Sequence, residues 1–203
     1  AWKTKSAATA LKAKVQERTC STCKKTQTRT TGEKLTPKAT LNVKSLKLKK
    51  KQKTTAFKIT GMSKGDYVKS WKSSDTDVVK VSGKKDGTCT ITAQKQAGTA
   101  TITITFASGL VKTLKIKVQA STVKTTAISN IAEKAALKKG KTLKLKPVLE
   151  PVTSGEEITY ESSDPAIAKV SKKGVVTALK PGTVTITIKS GKLTVTCKIT
   201  VKK

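Results

Sequence analysis

Two cysteines close together, in Cys20-Ser21-Thr22-Cys23, are the side chains of this chain best spaced for chemistry. A Cys-x-x-Cys can close a local disulfide, remain as two reactive thiols, or supply half of a metal site. Zinc takes about four ligands from Cys, His and acidic oxygen, and the chain has no His. A thioredoxin-like role needs a βαβ setting, which the surrounding residues do not suggest. In an exported protein a disulfide is the natural state, so Cys20 and Cys23 are a disulfide candidate. Free thiols and a metal half-site stand beside it. Polar, alternating arms at residues 15–19 and 24–29 flank the pair and place it at the tip of a β-hairpin.

Two further cysteines read differently. Cys89 alternates with Ile91 and Ala93, and Cys197 with Ile199 and Val201. Period-2 alternation turns both inward, as small buried hydrophobes of separate cores. No bridge between them is expected.

Little else is arranged for catalysis. Without His there is no Ser–His or Cys–His couple and no conventional base near neutral pH. Asp75 and Asp77 share a turn and Glu156-Glu157 are adjacent, but no distant partner makes a glycosidase pair. Gly83-Lys84-Lys85 and Gly140-Lys141-Thr142 lack the spacing of a phosphate-binding loop. The stretch 120–124 has no clustered carboxylates for calcium. Asn42 and Asn130 are the Asn available for an isopeptide cross-link, and nothing marks either. The expectation is a chain that is not an enzyme, with no catalytic residues, no metal and no cofactor.

Charge is the strongest compositional signal: 43 Lys plus Arg against 12 Asp plus Glu, a net +31. Such a surface attracts polyanions and repels copies of itself, so a monomer is expected. Arg18 and Arg29 are the only arginines. Lys behaves as a hydrated point charge, without the bidentate fork of Arg. One reading is a Lys coat that guards strand edges against aggregation; the sharper one is a polyanion contact. Nucleic acid is the alternative partner, and its binding would fall steeply with salt. Single-strand recognition uses exposed aromatic platforms, however, and the aromatics here are 3% of residues and read as core. No specific nucleic-acid partner is expected.

The elements that must hold these residues are strands. SWKSSDTDVVKV at residues 70–81 returns as TYESSDPAIAKV at 159–170. In the first copy Gly98 opens the alternating run 98–104, Ser108-Gly109 follows, and Leu114–Val118 closes. In the second copy Gly182 opens 182–188, Ser190-Gly191 follows, and Cys197–Val201 closes. Ile102, Ile104 and Phe106 face one core and Val184, Ile186 and Ile188 another, with Thr101, Thr103, Thr185 and Thr187 toward solvent. Trp71 and Tyr160 read as large core side chains, each followed by a polar Ser-Ser-Asp turn. Frequent Gly and Pro between short strands indicate β-sandwiches. The stretch 132–139 could pass for a helix but reads as extended, like its counterpart. Lys84-Lys85-Asp86-Gly87 stands where the second copy has Lys172-Lys173-Gly174, so the first hairpin differs there. No apolar run of about 18 residues occurs, so no membrane insertion is expected. The chain begins at Ala1 without an apolar leader; any export signal is expected to have been removed or left out.

The ordered series Trp71–Asp75, Val78–Val81, Ala97–Ile102 and Leu114–Val118 resembles the bacterial immunoglobulin-like domain, group 2. Tyr160–Pro165, Ala168–Val170, Lys173–Ala178, Pro181–Thr183 and Val195–Val201 resemble it further. The resemblance implies an all-β chain of two tandem Ig-like β-sandwiches, at 38–120 and 124–203, with a small N-terminal β-hairpin segment at 1–37. It implies tandem repeats on exported bacterial proteins, acting as stalks and sometimes adhesive tips, with no catalytic residues to carry over. Partners would be anionic cell-wall polymer or host glycan. The Lys- and Thr-rich style is similar to that of secreted or cell-surface proteins of Gram-positive gut anaerobes. Trp2, Ala8-Thr9, Arg18-Thr19-Cys20 and Cys23 resemble a short Cys-containing module that precedes such domains. Ala10 stands where that module has its first Cys, and Lys24 where it has Gly.

Overall fold

A computed structural model describes residues 1–203, and its regular elements are all strands. The chain divides into two compact units, 1–46 with 50–118 and 47–49 with 119–203.

The first unit opens with β1 (Lys3–Ser6), β2 (Lys14–Thr19) and β3 (Thr26–Thr31), an antiparallel sheet in the order β1-β2-β3. The β2–β3 hairpin follows the polar alternation of its arms. β1 enlarges the expected hairpin to three strands: Lys3 pairs Glu17, Thr4 pairs Gln16, and Lys5 Nζ lies 3.2 Å from Glu17 Oε2. Lys-Thr-Lys-Ser has no apolar face, so no periodicity announced this strand. Backbone pairing holds it. The sheet is tied onward through the buried Ala10, whose N–H donates to the Lys64 carbonyl at 2.9 Å. Ser63 Oγ donates to the Thr36 carbonyl and accepts from Lys38 N–H, at 2.8 and 2.9 Å.

The sandwich follows as β4 (Thr40–Leu41), β5 (Ser45–Lys49), β6 (Lys53–Thr54), β7 (Ile59–Thr60), β8 (Val68–Ser73), β9 (Val79–Gly83), β10 (Cys89–Ala93), β11 (Gly98–Phe106) and β12 (Val111–Gln119). They form a sheet β5-β12-β11-β8, a sheet β6-β10-β9 and the pair β4-β7. Alternation places the core side chains: Ile102, Ile104, Phe106, Leu114 and Ile116 of one sheet and Val79 and Ile91 of the other are buried, with Phe57 added from the segment between β6 and β7. Each such side chain contributes roughly 1.5–3 kcal/mol when fully buried.

The second unit repeats this connectivity element for element. Its strands are β13 (Ala127–Ser129), β14 (Lys134–Lys138), β15 (Thr142–Lys144), β16 (Val148–Glu150), β17 (Ile158–Ser162), β18 (Ala168–Val170), β19 (Val175–Ala178), β20 (Gly182–Ser190) and β21 (Leu193–Lys202). The sheets run β14-β21-β20-β17 and β15-β19-β18, with the pair β13-β16. β14 lies within the helix-like stretch and is parallel to β21, from Lys134↔Lys198 to Lys138↔Lys202. Val176, Val184, Ile186, Ile188, Cys197 and Ile199 form the centre of its core. The fold is all-β, of Ig-like sandwich type.

Thr101, Thr103, Thr185 and Thr187 point to the outer faces of their sheets, as expected, and are half-buried there. They sit on inner strands of their sheets, where cross-strand neighbours about 5 Å away on both sides shade them.

Candidate functional site

The repeated Ser-Ser-Asp is a hydrogen-bonding device of the scaffold. Ser74 continues the β8–β11 ladder one step past β8: its N–H donates to the Thr101 carbonyl and its Oγ accepts from Thr101 N–H, both at 2.9 Å. Ser163 does the same for Thr185, at 2.9 and 3.0 Å. Asp75 Oδ1 accepts from the N–H groups of Asp77 and Val78 at 2.9 and 3.1 Å, and Asp164 Oδ1 accepts from Ala166 N–H at 2.9 Å. Both carboxylates are thereby occupied in turning the chain. The returning strand needs its glycine: a Cβ on Gly98 would lie 3.1 Å from Val78 Cγ2, and one on Gly182 would lie 2.8 Å from Ile167 Cδ1.

Trp71 and Tyr160 are half-buried and lie at the rim of their cores, not at the centre. The Trp71 ring meets Phe57 edge-on, with centroids 6.3 Å apart, and its Nε1 donates to the Lys84 carbonyl at 3.3 Å. Tyr160 packs against the second core, and burial raises the pKa of its phenol. Asn42 and Asn130 are backbone clamps: their Nδ2 groups donate to the carbonyls of Ala56 and Lys146 at 2.8 and 2.7 Å. Sequence reading missed that role because it depends on contacts between distant turns.

Cys20 and Cys23 occupy the tip between β2 and β3, both exposed free thiols. Cys23 N–H points to Cys20 Sγ at 3.5 Å. Hydrogen bonds from Cys23 and Thr22 lower the Cys20 pKa below that of an ordinary thiol. Cys89 and Cys197 are buried. Burial pushes Cys89 up to about 11 and raises Cys197. No group of three or more Cys, Asp or Glu side chains gathers as a metal site would require. Below the tip, Arg18 and Arg29 both lie over the ring of Trp2, at 4.8 and 4.3 Å from its centroid. Their guanidinium groups also donate to Gln27 and Gln16. The two arginines therefore brace the small sheet. Sequence alone could not pair them with Trp2, since the pairing depends on the unannounced β1.

The remaining surface feature is a pair of lysine–threonine sheet faces. On β11 the outward row Thr99, Thr101, Thr103 and Thr105 lies between Lys117, Lys115 and Thr113 of β12 and Lys72 and Ser70 of β8. None of the cross-strand partners in this row is a carboxylate. Strands stand about 4.8 Å apart and same-face residues roughly 6.7 Å apart along each strand, so Lys115 and Lys117 are same-face neighbours on β12 and Lys72 lies across β11 from them. The second unit carries Thr183, Thr185, Thr187 and Lys189 beside Thr200, Lys198, Thr196 and Thr194. There Glu161 offsets part of the charge through Lys189, at 3.2 Å.

The geometry is that of a β-sandwich scaffold with basic faces. Residues 118–201 match the bacterial Ig-like domain (group 2). The strands of the first unit up to residue 117 lie outside this match. Comparison with curated proteins found no match. Among solved structures, the chain is similar to a GH10 xylanase from termite gut that contains a bacterial Ig-like domain. The identity there is 29%, over 34% of this chain and 18% of that one, with a TM-score of 0.31. It is also similar to domains 5–6 of the S-layer protein SbsC, at 20% identity over 83% of this chain and 98% of that one, TM-score 0.41. For domains 4 and 5 of SbsC the figures are 22%, 66%, 76% and 0.37. The chain thus spans less than a fifth of the xylanase.

Proposed function

We propose that this chain is a non-catalytic module of an exported bacterial surface protein, a spacer whose basic sheet faces contact anionic wall polymers or host glycans. The observation that carries the reading is the outer face of β8, β11 and β12, where Lys72, Lys115 and Lys117 flank a threonine row with no carboxylate among its cross-strand partners. Lysines spread singly over a surface would serve solubility alone; clustered with hydroxyls between them, they offer charge and hydrogen bonds to a polyanion together. Of the acids, Asp75 and Asp164 are held in turns and Glu156 accepts from Thr125 N–H. On this reading the first unit is a second domain of the same family, since it shares the connectivity of the matched one, and net repulsion keeps the chain monomeric.

The test is an array of phosphodiester wall polymers, sulfated and neutral glycans, and duplex DNA, probed at several salt concentrations. Selective retention of an anionic polymer or glycan at physiological salt, lost in Lys72→Glu/Lys115→Glu/Lys117→Glu, supports the reading. Equal retention of DNA and every other polyanion reduces it to charge alone. No salt-sensitive retention leaves the spacer role without the contact.

A further inference from the structure

A groove of about 440 Å³ opens in the first unit between residues 55–60 and the β9–β10 hairpin. Buried Phe57, Ile59 and Cys89 line it, and exposed Lys58 and Lys84 stand along it.

The groove exists because two strands part. β6 pairs with β10 at Thr54↔Ile91 and Lys53↔Thr92, and Ala93 N–H donates to the Gln52 carbonyl at 2.9 Å. The next bonded pair of this antiparallel ladder would join Ala56 to Cys89. Ala56 has turned away: its N–H donates to Thr54 Oγ1 at 3.1 Å, and its carbonyl accepts from Asn42 Nδ2 at 2.8 Å. On the hairpin, Lys84 N–H donates to the Thr88 carbonyl at 2.8 Å. Alternation then directs the N–H and C=O of Cys89 away from β9, into the space that Ala56 vacates. Cys89 is only 7% exposed, and buried backbone groups are ordinarily paired. The second unit has no such gap. There β15 follows β19 through Lys144↔Val175, and Leu145 N–H donates to the Gly174 carbonyl at 2.8 Å, at the turn itself.

We infer that this slot receives a short extended segment of an acidic partner protein, which adds as a strand to the edge of β10 at Cys89. Strand addition draws affinity from main-chain hydrogen bonds and specificity from the side chains that alternate into pockets. Acidic residues on the incoming strand would meet Lys58 and Lys84. A second copy of this chain is a poor occupant, because each copy carries +31 and like charges repel. The inference does not depend on the polyanion contact of the sheet faces.

The probe is a labelled, end-capped pentapeptide alternating Glu and Val, compared with the same peptide N-methylated along its backbone. Both carry the same charge, but only the first can pair as a strand. Anisotropy should show saturable binding of the first, at least about tenfold tighter than the second. Hydrogen exchange at the Cys89 amide should slow by about tenfold or more on binding, with Ile91 unchanged. Lys58→Glu/Lys84→Glu should weaken binding about fivefold or more. Equal binding of the two peptides, an unaltered Cys89 amide, or no saturable binding would each overturn the inference.

Discussion

The indole of Trp71 lies where a side chain on Gly83 would be: a Cβ built on Gly83 overlaps the ring. In the second unit the corresponding aromatic, Tyr160, instead covers Gly174, whose Cβ would lie 2.7 Å from Tyr160 Cζ. The difference follows from hairpin length. The turns themselves match: Lys84 N–H to Thr88 O and Gly87 N–H to Lys84 O in one, Ser171 N–H to Val175 O and Gly174 N–H to Ser171 O in the other. The arms do not, since β9 has 5 residues and β18 has 3. Trp71 therefore reaches an arm, and Tyr160 reaches a turn.

Gly83→Ala should destabilise the first unit by about 1–3 kcal/mol, the usual cost of overpacking. Gly174→Ala should act similarly on the second, with a further penalty because Gly174 has φ +72. Urea unfolding followed by Trp71 emission, in a Trp2→Phe background, reads the first. Far-ultraviolet dichroism reads the second. Unchanged midpoints would refute the packing described for these aromatics.

These two glycines show where the sequence was legible and where it was not. Strands β11 and β20 could be read directly, because Ile-Thr alternation writes burial into residue order. The Ser-Ser-Asp turns were visible as turns, though not the ladder contact that Ser74 makes with Thr101. The longer first hairpin was visible as an extra stretch at Lys84–Gly87, yet the added length lies in the arms. Registers are set by packing across sheets, and that packing alone reveals Gly83 as the partner of Trp71. The same holds for the groove at Cys89, where Ala56 bonds to Thr54 and Asn42 instead of continuing the ladder.

Removing the turn acids tests the scaffold role of the repeat. Asp75→Ala and Asp164→Ala should each cost about 0.5–2 kcal/mol, as loss of a backbone-capping side chain does. Ser74→Ala should accelerate amide exchange at Thr101, and Ser163→Ala at Thr185, while more central amides of β11 and β20 keep their protection. If the Asp variants were neutral in thermal and urea unfolding, the turn account would be wrong.

The cysteines should separate by reactivity. After mild reduction, iodoacetamide at pH 8.5 should label Cys20 and Cys23 within minutes and spare Cys89 and Cys197 until the chain unfolds. Labelling of Cys20 should persist to lower pH than that of an ordinary thiol. Cys89 makes a thermodynamic prediction as well. Its thiol titrates near 9 when unfolded and near 11 when folded, so the unfolded state binds fewer protons between these values. Stability then falls as pH rises from about 9 to 11 and is unaffected by this group below 9. The stability difference between wild type and Cys89→Ala should narrow over that window. Peptide mapping and urea titrations check the two statements.

The central claim is that Lys72, Lys115 and Lys117 act together on a polyanion. Its most direct measurement is the slope of log affinity against log salt, for wild type and for Lys72→Gln/Lys115→Gln/Lys117→Gln, on one anionic wall polymer. The account predicts weaker binding by the variant and a slope shallower by about 2–3, one step for each lost phosphate contact. An unchanged slope with unchanged affinity would contradict it.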